Sequence, residues 1–326
     1  MKMQTHDIAA LGKPVSAIGM GTMIFHPDTK DRDFGLLDSF VDNGGTYVDT
    51  AEVYGAVEEY GYSEMVIGDW LSSRPGMRDR IVLASKGLIP GYCAPLHPGG
   101  AKLDPESIHR AIDGSLERLK TDHLDIWMLH RDDPELEVGP LVDALDEEVA
   151  SGRVKAVGAS NWSTGRIREA IDYARANGKA EFMSSSPNFS LAMANEPFWP
   201  DTVFVDAVDK EWYSERNFLL IAWSSLGRGF FAKADPDDKR DPDLVRVFYS
   251  SANFARKARA EEYAAAKGLA MFEVALGYVI SQNFPVVALN GAESIEQVES
   301  SARAGSLRLS QEDCDWLDLT SDERPF

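Results

Sequence analysis

The stretch GGTYVDTAEVYG, from Gly44 to Gly55, has the pattern of a short buried strand with a polar end. Its apolar run closes at Asp49, and Tyr54 follows on the turn beyond. Because similar runs with polar carboxyl ends recur along the chain, this pattern decides the fold. It predicts strands at Thr46 to Thr50, Arg80 to Lys86, Leu124 to His130, Arg153 to Asn161, Glu181 to Ser186, Phe218 to Ser225 and Pro285 to Gly291.

Helical patterns alternate with these strands. Apolar residues at helical spacing predict helices within residues 36–44, 63–73, 105–120, 140–152 and 165–178. Several of them begin after Ser, Asp or Pro and stop at Gly or Asn, which is ordinary cap chemistry. Nearly continuous apolar strands are typical of parallel sheets covered on both faces. Repeated strand–helix alternation without an interior linker therefore predicts one α/β domain over residues 1–326, a TIM-type (β/α) barrel.

Three further segments complete the predicted architecture. His6 to Gly21 is interpreted as a hairpin across the base of the barrel. Pro187 to Asn217 and Gly227 to Phe254 look long and irregular, and such segments usually serve as binding loops, here over the C-terminal face. The aspartate-rich run within the second loop has no calcium-loop order, so it is interpreted as solvated surface rather than a metal site.

Composition narrows the classes of function. The 326 residues carry a formal net charge of −20, which disfavours nucleic acid or an anionic membrane as the main partner. The two cysteines, Cys93 and Cys314, are far apart, so a disulfide framework is not expected. No apolar run approaches the roughly 20 residues that cross a bilayer. We expect a cytoplasmic protein without a membrane partner.

The predicted strand ends bring together a chemically specific set of side chains. Asp49, Lys86 and His130 close three separate strands, and polar groups buried there need partners. Asp49 can hold Lys86 charged, and Lys86 is expected to lower the pKa of Tyr54 from its usual value near 10. Tyr54 would then act as a general acid, with neutral His130 donating to a developing oxyanion. This set suits protonation of a carbonyl oxygen during hydride delivery, and it offers no metal cage.

The stretches IGMGTM, VDTAEVYG, ASKG, GRVKAVGASNWS, IAWSSLGRGFF and GAESIEQVE occur in the family order of the aldo-keto reductases. With SEMVIGDWL and GSLERLKTDHLDIWMLHRDD, they run from about residue 7 to residue 315. The sequence resembles that superfamily. The resemblance implies a (β/α)8 barrel that uses a nicotinamide cofactor without a Rossmann domain and reduces an aldehyde or ketone to an alcohol.

The resemblance also assigns roles residue by residue. It makes Tyr54 the proton donor, with Asp49, Lys86 and His130 as its partners. Ser160 and Asn161 match the pair that binds the nicotinamide carboxamide, although either can instead cap a helix. The cofactor-binding set that it implies is Gly21, Thr22, Met23, Asp49, Ser160, Asn161, Ser186, Trp223, Ser224, Leu226, Gly227, Arg228, Gly229, Gly291, Glu293, Gln297 and Ser301.

Ser186 and Trp223 occupy two family positions near the nicotinamide. Ser186 stands where the family usually has a glutamine as third carboxamide ligand. Trp223 stands where an aromatic ring normally stacks on the nicotinamide, and its alternative is a plain core residue.

The last cofactor segment departs from the family pattern. Members often carry Pro-Gly-x-Arg, whereas this chain has Asn290, Gly291, Ala292 and Glu293. A carboxylate in the usual arginine position repels a 2′-phosphate and can bind a ribose hydroxyl. NADPH is the family default, and the carboxylate of Glu293 makes NADH a serious alternative. Arg228 or Lys233 can still compensate for the missing arginine.

The substrate is predicted to be a small carbonyl compound. Trp- and Tyr-rich loop segments, EPFWP and KEWYS, favour a sugar or a sugar-derived carbonyl. The alternative is a cofactor-binding regulatory subunit with little turnover, like the potassium-channel β-subunits of this superfamily. A metal-dependent hydrolase would need a His-x-His or carboxylate cluster at the strand ends. The sequence shows no such cluster there, so no metal is expected. The remaining histidines considered are interpreted as surface or packing residues: His26, His97, His109 and His123. The protein is expected to be either a monomer or a homo-oligomer.

Overall fold

The computed structural model describes residues 2–55 and 60–326. Within them, eight parallel strands close into a barrel in the order β10-β3-β4-β5-β6-β7-β8-β9. The barrel strands are β3 Ile18–Gly21, β4 Tyr47–Asp49, β5 Val82–Gly87, β6 Leu124–Leu129, β7 Val154–Ser160, β8 Phe182–Ser186, β9 Leu219–Ala222 and β10 Val286–Asn290. The predicted (β/α)8 barrel is confirmed, and each of the seven predicted strands is present.

The N-terminal hairpin is shorter than predicted. Its antiparallel strands are β1 Thr5–Asp7 and β2 Pro14–Ser16, and the chain then enters the barrel as β3. The prediction that the hairpin extends to Gly21 was therefore wrong. Gly19 explains the difference: a Cβ there would lie 2.7 Å from Leu289 and 2.9 Å from Tyr47, so glycine permits close strand packing.

The helices surround the barrel. They are α1 Lys30–Asp42, α2 Tyr62–Ser72, α3 Met77–Arg80, α4 Pro105–Leu119, α5 Val138–Ala150, α6 Thr164–Asn177, α7 Ala207–Arg216, α8 Phe230–Lys233, α9 Pro242–Phe248, α10 Ser251–Lys267, α11 Met271–Ile280, α12 Ile295–Ala304 and α13 Gln311–Leu317. The five predicted helices correspond to α1, α2, α4, α5 and α6. In α4, for example, the Asp104 side chain accepts a hydrogen bond from the Ser107 amide, and Pro105 occupies the first turn.

The two long segments are less irregular than predicted. Helix α7 lies in the first, and α8, α9 and the start of α10 lie in the second. Helices α7 and α9 have local caps: Asp206 accepts from the Asp209 amide, and Asp241 accepts from the Leu244 amide. Helix α7 buries only Tyr213, which leaves no apolar periodicity to reveal it.

Two apolar layers support the strand ends. One lies between the strands and the helices, and the other fills the barrel interior. Leu11 and Val15 of the hairpin segment belong to the interior layer, together with Tyr47, Ile126 and Met128. The base is thereby packed, and the site must lie at the opposite, carboxyl ends of the strands.

Among the described helices, none is long and apolar enough by itself to cross a membrane. Helices α10 and α11 are long and apolar enough only when taken together, and the chain bends by 104° between them.

Candidate active site

A cavity of about 1110 Å³ opens at the carboxyl ends of the barrel strands. The predicted site residues that line it are Gly21, Thr22, Met23, Asp49, Tyr54, Lys86, His130, Ser160, Asn161, Ser186, Trp223, Ser224, Leu226, Arg228, Gly229, Gly291 and Glu293. Gly227, Gln297 and Ser301 do not line it. Parallel strands therefore gather residues from distant parts of the sequence at one cavity.

Lys86 connects the polar residues at the base of this cavity. Its Nζ donates to Asp49 Oδ2 at 2.6 Å and to the Thr50 carbonyl oxygen at 3.0 Å. The Tyr54 hydroxyl oxygen lies 3.4 Å from the same nitrogen. Both Asp49 and Lys86 are buried, at 1% and 2% exposure, so neither charge can be satisfied by bulk water.

This burial shifts the protonation of the pair. Burial raises the pKa of Asp49, and Lys86 only partly offsets that rise. Desolvation lowers the pKa of Lys86, but the neighbouring Asp49 and Tyr54 outweigh it, and the net shift is upward. Lys86 is thus held as the cation of this site.

Tyr54 differs from the sequence-based expectation. Burial raises the pKa of its phenol, and the nearby Lys86 charge reduces that rise without reversing it. The prediction of a lowered pKa was therefore wrong, because the sequence shows the cation but not the desolvation. The phenol is fully protonated at neutral pH.

His130 meets the expectation of a neutral imidazole. Burial, followed by the charge of Lys86, lowers its pKa well below the usual value. Its ring lies edge-on to that of Tyr54, with centroids 6.0 Å apart. The His130 amide donates to the carbonyl of Gly87 at the end of β5, which fixes the residue at the cavity wall.

A hydrogen-bonded group forms the neighbouring wall. Ser160 Oγ donates to the Ser186 carbonyl at 3.0 Å, and Asn161 Nδ2 donates to Ser160 Oγ at 2.9 Å. Trp223 Nε1 donates to Asn161 Oδ1 at 3.2 Å. The cap of α6 is instead Ser163, so the helix-cap alternative for Ser160 and Asn161 was wrong. Trp223 is half-buried and lines the cavity, and it also packs against the apolar layer of the barrel interior.

Left-handed backbone shapes the segment after β9. The φ angles are +51° at Ser224, +58° at Gly227, +57° at Arg228 and +86° at Gly229. Such turns direct amide groups to one side and commonly bind anions. The Arg228 guanidinium lies 4.5 Å from the Phe198 ring centre, in a cation–π contact.

The segment after β10 divides into two parts. Glu293 is exposed at the cavity wall, while its amide donates to Gln297 Oε1 at 2.8 Å. Ser301 is buried, and its hydroxyl accepts from Asn290 Nδ2 at 2.5 Å. Gln297 and Ser301 therefore hold the loop from outside the cavity.

The sequence interpretation missed a buried hydrogen-bonded pair behind the site, Glu52 and His97. Glu52 is fully buried, and its carboxylate lies 2.9 Å from His97 Nε2 and accepts from the Leu88 amide. Only a fold that brings residue 97 back to residue 52 reveals this contact. Cys93 is buried away from the cavity lining, and burial raises the pKa of its thiol to about 12.

Comparison with known proteins agrees with this geometry. The model of the Aldo/keto reductase family matches residues 17–321. The chain belongs to the aldo-keto reductase family. It is therefore an oxidoreductase by family, and the fold of a solved aldo-keto reductase from Klebsiella pneumoniae in complex with NADPH agrees. That structure superposes with a TM-score of 0.73 at 25% identity, covering 100% of this chain and 98% of the other.

Two curated relatives extend the comparison. The aldo-keto reductase yakc of Schizosaccharomyces pombe, whose name includes NADP(+), is 28% identical, covering 91% of this chain and 85% of the relative. The 6-dehydroglucose reductase of Novosphingobium aromaticivorans is 27% identical, covering 85% of this chain and 82% of the relative.

Within residues 2–55 and 60–326, no group of three or more His, Cys, Asp or Glu side chains is placed to hold a metal ion.

Proposed function

We propose that this aldo-keto reductase reduces an aldehyde or ketone to an alcohol with a nicotinamide cofactor, using Tyr54 as the proton donor. The observation that carries the proposal is the position of the Tyr54 hydroxyl, 3.4 Å from Lys86 Nζ at the base of the cavity. A protonated phenol beside a fixed cation is suited to donate a proton and then to stabilise the resulting phenolate.

The cavity fits the polar end of a nicotinamide cofactor. Three buried polar atoms, Asp49 Oδ1, His130 Nδ1 and Ser186 Oγ, have no hydrogen-bond partner among the described residues. Buried polar atoms without partners are costly, so they favour a ligand that supplies donors and acceptors. Ser160, Asn161 and Ser186 would hold the carboxamide and Trp223 would pack on the ring. Ser224, Leu226, Arg228 and Gly229 would enclose the pyrophosphate.

Tyr54, Lys86 and His130 would each have a separate role in carbonyl reduction. A reduced nicotinamide cofactor, when bound, supplies the hydride that reaches the carbonyl carbon. Tyr54 gives its hydroxyl proton to the carbonyl oxygen, and Lys86 stabilises the phenolate that remains. Neutral His130 orients the carbonyl by hydrogen bonding. Solvent then returns a proton to Tyr54, which completes the cycle.

For the cofactor, we propose NADP(H), with NADH accepted as well. NADPH is bound in the Klebsiella pneumoniae structure, and the yakc relative carries NADP(+) in its name. Glu293 at the cavity wall weakens this preference by repelling a 2′-phosphate. Lys233 compensates little, because its Nζ already pairs with Asp241 at 2.9 Å.

For the substrate, a sugar-derived carbonyl is supported by only one of the two aromatic segments: Trp199 of EPFWP lines the cavity, whereas Trp212 and Tyr213 of KEWYS lie on α7 and do not line it. Trp199 is 38% exposed and lies 5.5 Å from Trp223, centre to centre, so that it offers a surface for a sugar ring. One relative is named for a reaction on a dehydroglucose.

The test is a panel of aldehydes, ketones and sugar-derived carbonyls assayed with NADPH and with NADH, following nicotinamide absorbance. Reduction of at least one carbonyl class is expected. Tight cofactor binding without turnover across the panel would contradict the proposal and point to the regulatory-subunit alternative.

A further inference from the structure

Arg131 follows His130 and lines the same cavity. Its Nη1 folds back and donates to the His130 carbonyl oxygen at 2.9 Å. Its own carbonyl accepts from Trp162 Nε1 at 3.0 Å. One hydrogen bond therefore fixes the Arg131 side chain and another fixes its backbone, in the same cavity as Tyr54.

The other cavity cations have partners. Lys86 pairs with Asp49, Lys233 pairs with Asp241, and Arg228 stacks on an aromatic ring. For Arg131, by contrast, the described residues provide no carboxylate within ion-pair distance and no stacked ring. Burial lowers the pKa of Arg131, which shows that the cavity wall has removed part of its hydration.

The neighbouring carboxylates do not neutralise this cation. Asp132 pairs with Arg166 at 3.1 Å. Asp133 accepts from the Glu135 amide at 3.1 Å. Asp201 is exposed on the cavity wall, where its charge influences Arg131 without forming an ion pair with it.

We propose that Arg131 binds a carboxylate of the substrate, so that the preferred substrates are aldehydes or ketones that carry an acid group. This inference rests on the proposed carbonyl reduction and names its substrate class. A guanidinium with free donors matches a carboxylate in planar, two-point geometry, and partial desolvation strengthens the pair. In a chain of net charge −20, a local cation of this kind also offsets long-range repulsion of an acidic substrate.

The test compares 4-carboxybenzaldehyde with 4-carbamoylbenzaldehyde, which has a similar shape and no charge. The ratio of their kcat/KM values is measured for the wild type, Arg131→Gln and Arg131→Lys. The ratio is expected to fall roughly 10- to 100-fold in Arg131→Gln, with partial recovery in Arg131→Lys. Arg168→Gln, an exposed arginine outside this cavity, removes the same charge and should leave the ratio unchanged.

Asp201→Asn provides an independent variant. Asn tolerates the left-handed backbone at this position, where φ is +56°. Removing this negative charge from the cavity wall should lower KM for the carboxylated aldehyde more than for the amide. Equal effects on both substrates, or a ratio unaffected by Arg131→Gln, would overturn the inference while leaving carbonyl reduction intact.

If neither aldehyde is reduced, binding of terephthalate and of its diamide is measured by quenching of protein tryptophan fluorescence. Trp199 and Trp223, two of the seven tryptophans, line the cavity, so a ligand bound there should quench part of the emission. Weaker binding of terephthalate to Arg131→Gln supports the carboxylate site even where carbonyl reduction fails. Unchanged binding would overturn it.

Discussion

Lys86 Nζ lies 2.6 Å from Asp49 Oδ2 and 3.4 Å from the Tyr54 hydroxyl oxygen. One buried cation thus satisfies a carboxylate and faces a phenol. The parallel register produces this arrangement, because Asp49 is opposite Ala84 on β5 and Lys86 lies two residues further toward the cavity. The proposed proton chemistry depends on this cation.

Removing the cation should be costly for stability. Lys86→Met leaves the buried Asp49 carboxylate without its partner, and such losses cost about 3–5 kcal/mol in the free energy of unfolding. In the double variant with Asp49→Asn, the total loss should be smaller than the sum of the single losses. Urea unfolding measures the free energy of unfolding of both single variants and of the double variant.

Lys30→Met serves as the control. It breaks the partly exposed pair with Asp69 and should cost about 0–1 kcal/mol. Additive single losses would contradict the pairing argument.

The pH dependence of carbonyl reduction follows from the raised pKa of Tyr54. The protonated phenol is the active form, so a raised pKa preserves activity to higher pH. At saturating reduced cofactor, kcat/KM should show no alkaline decline attributable to Tyr54 before about pH 10. A decline centred near pH 7 to 8 that disappears in Tyr54→Phe would show that the phenol is tuned downward after all.

Cofactor choice is tested at Glu293. Glu293→Gln removes a carboxylate from the cavity wall, so NADPH affinity should rise while NADH affinity changes little. An exposed charge pair contributes about 1 kcal/mol, which corresponds to a roughly fivefold change in Kd. Nicotinamide fluorescence titrations at low and high salt measure it, since salt should shrink the effect. Glu296→Gln removes a nearby exposed carboxylate and serves as the control. Equal gains in both variants would refute a specific role for Glu293.

Strong periodicity made most of the fold predictable. The buried strands and the five amphipathic helices between residues 30 and 177 follow directly from their apolar spacing. Helices α7 and α9 did not: α7 buries only Tyr213, and α9 is only seven residues long and begins after an aspartate cap that resembles loop chemistry. The first barrel strand was also missed: β3 has only four residues, and two of them are glycines, which are unusual inside a strand.

The candidate site was predictable only in part. Residues at strand ends are placed by topology, so the grouping of Asp49, Lys86 and His130 could be expected. The direction of the Tyr54 pKa was missed, since desolvation depends on the three-dimensional packing of neighbours. The Glu52–His97 pair joins residues 45 apart along the sequence, and no local pattern encodes that contact.

Substitution of Tyr54 by Phe tests the central claim most directly, because it removes the hydroxyl and keeps the ring. The measurement is kcat for the best carbonyl substrate, alongside the cofactor Kd from nicotinamide fluorescence. We expect kcat to fall by roughly 10²- to 10⁴-fold while the cofactor Kd stays unchanged. Near wild-type kcat in Tyr54→Phe, with unchanged cofactor binding, would contradict the assignment of Tyr54 as the proton donor.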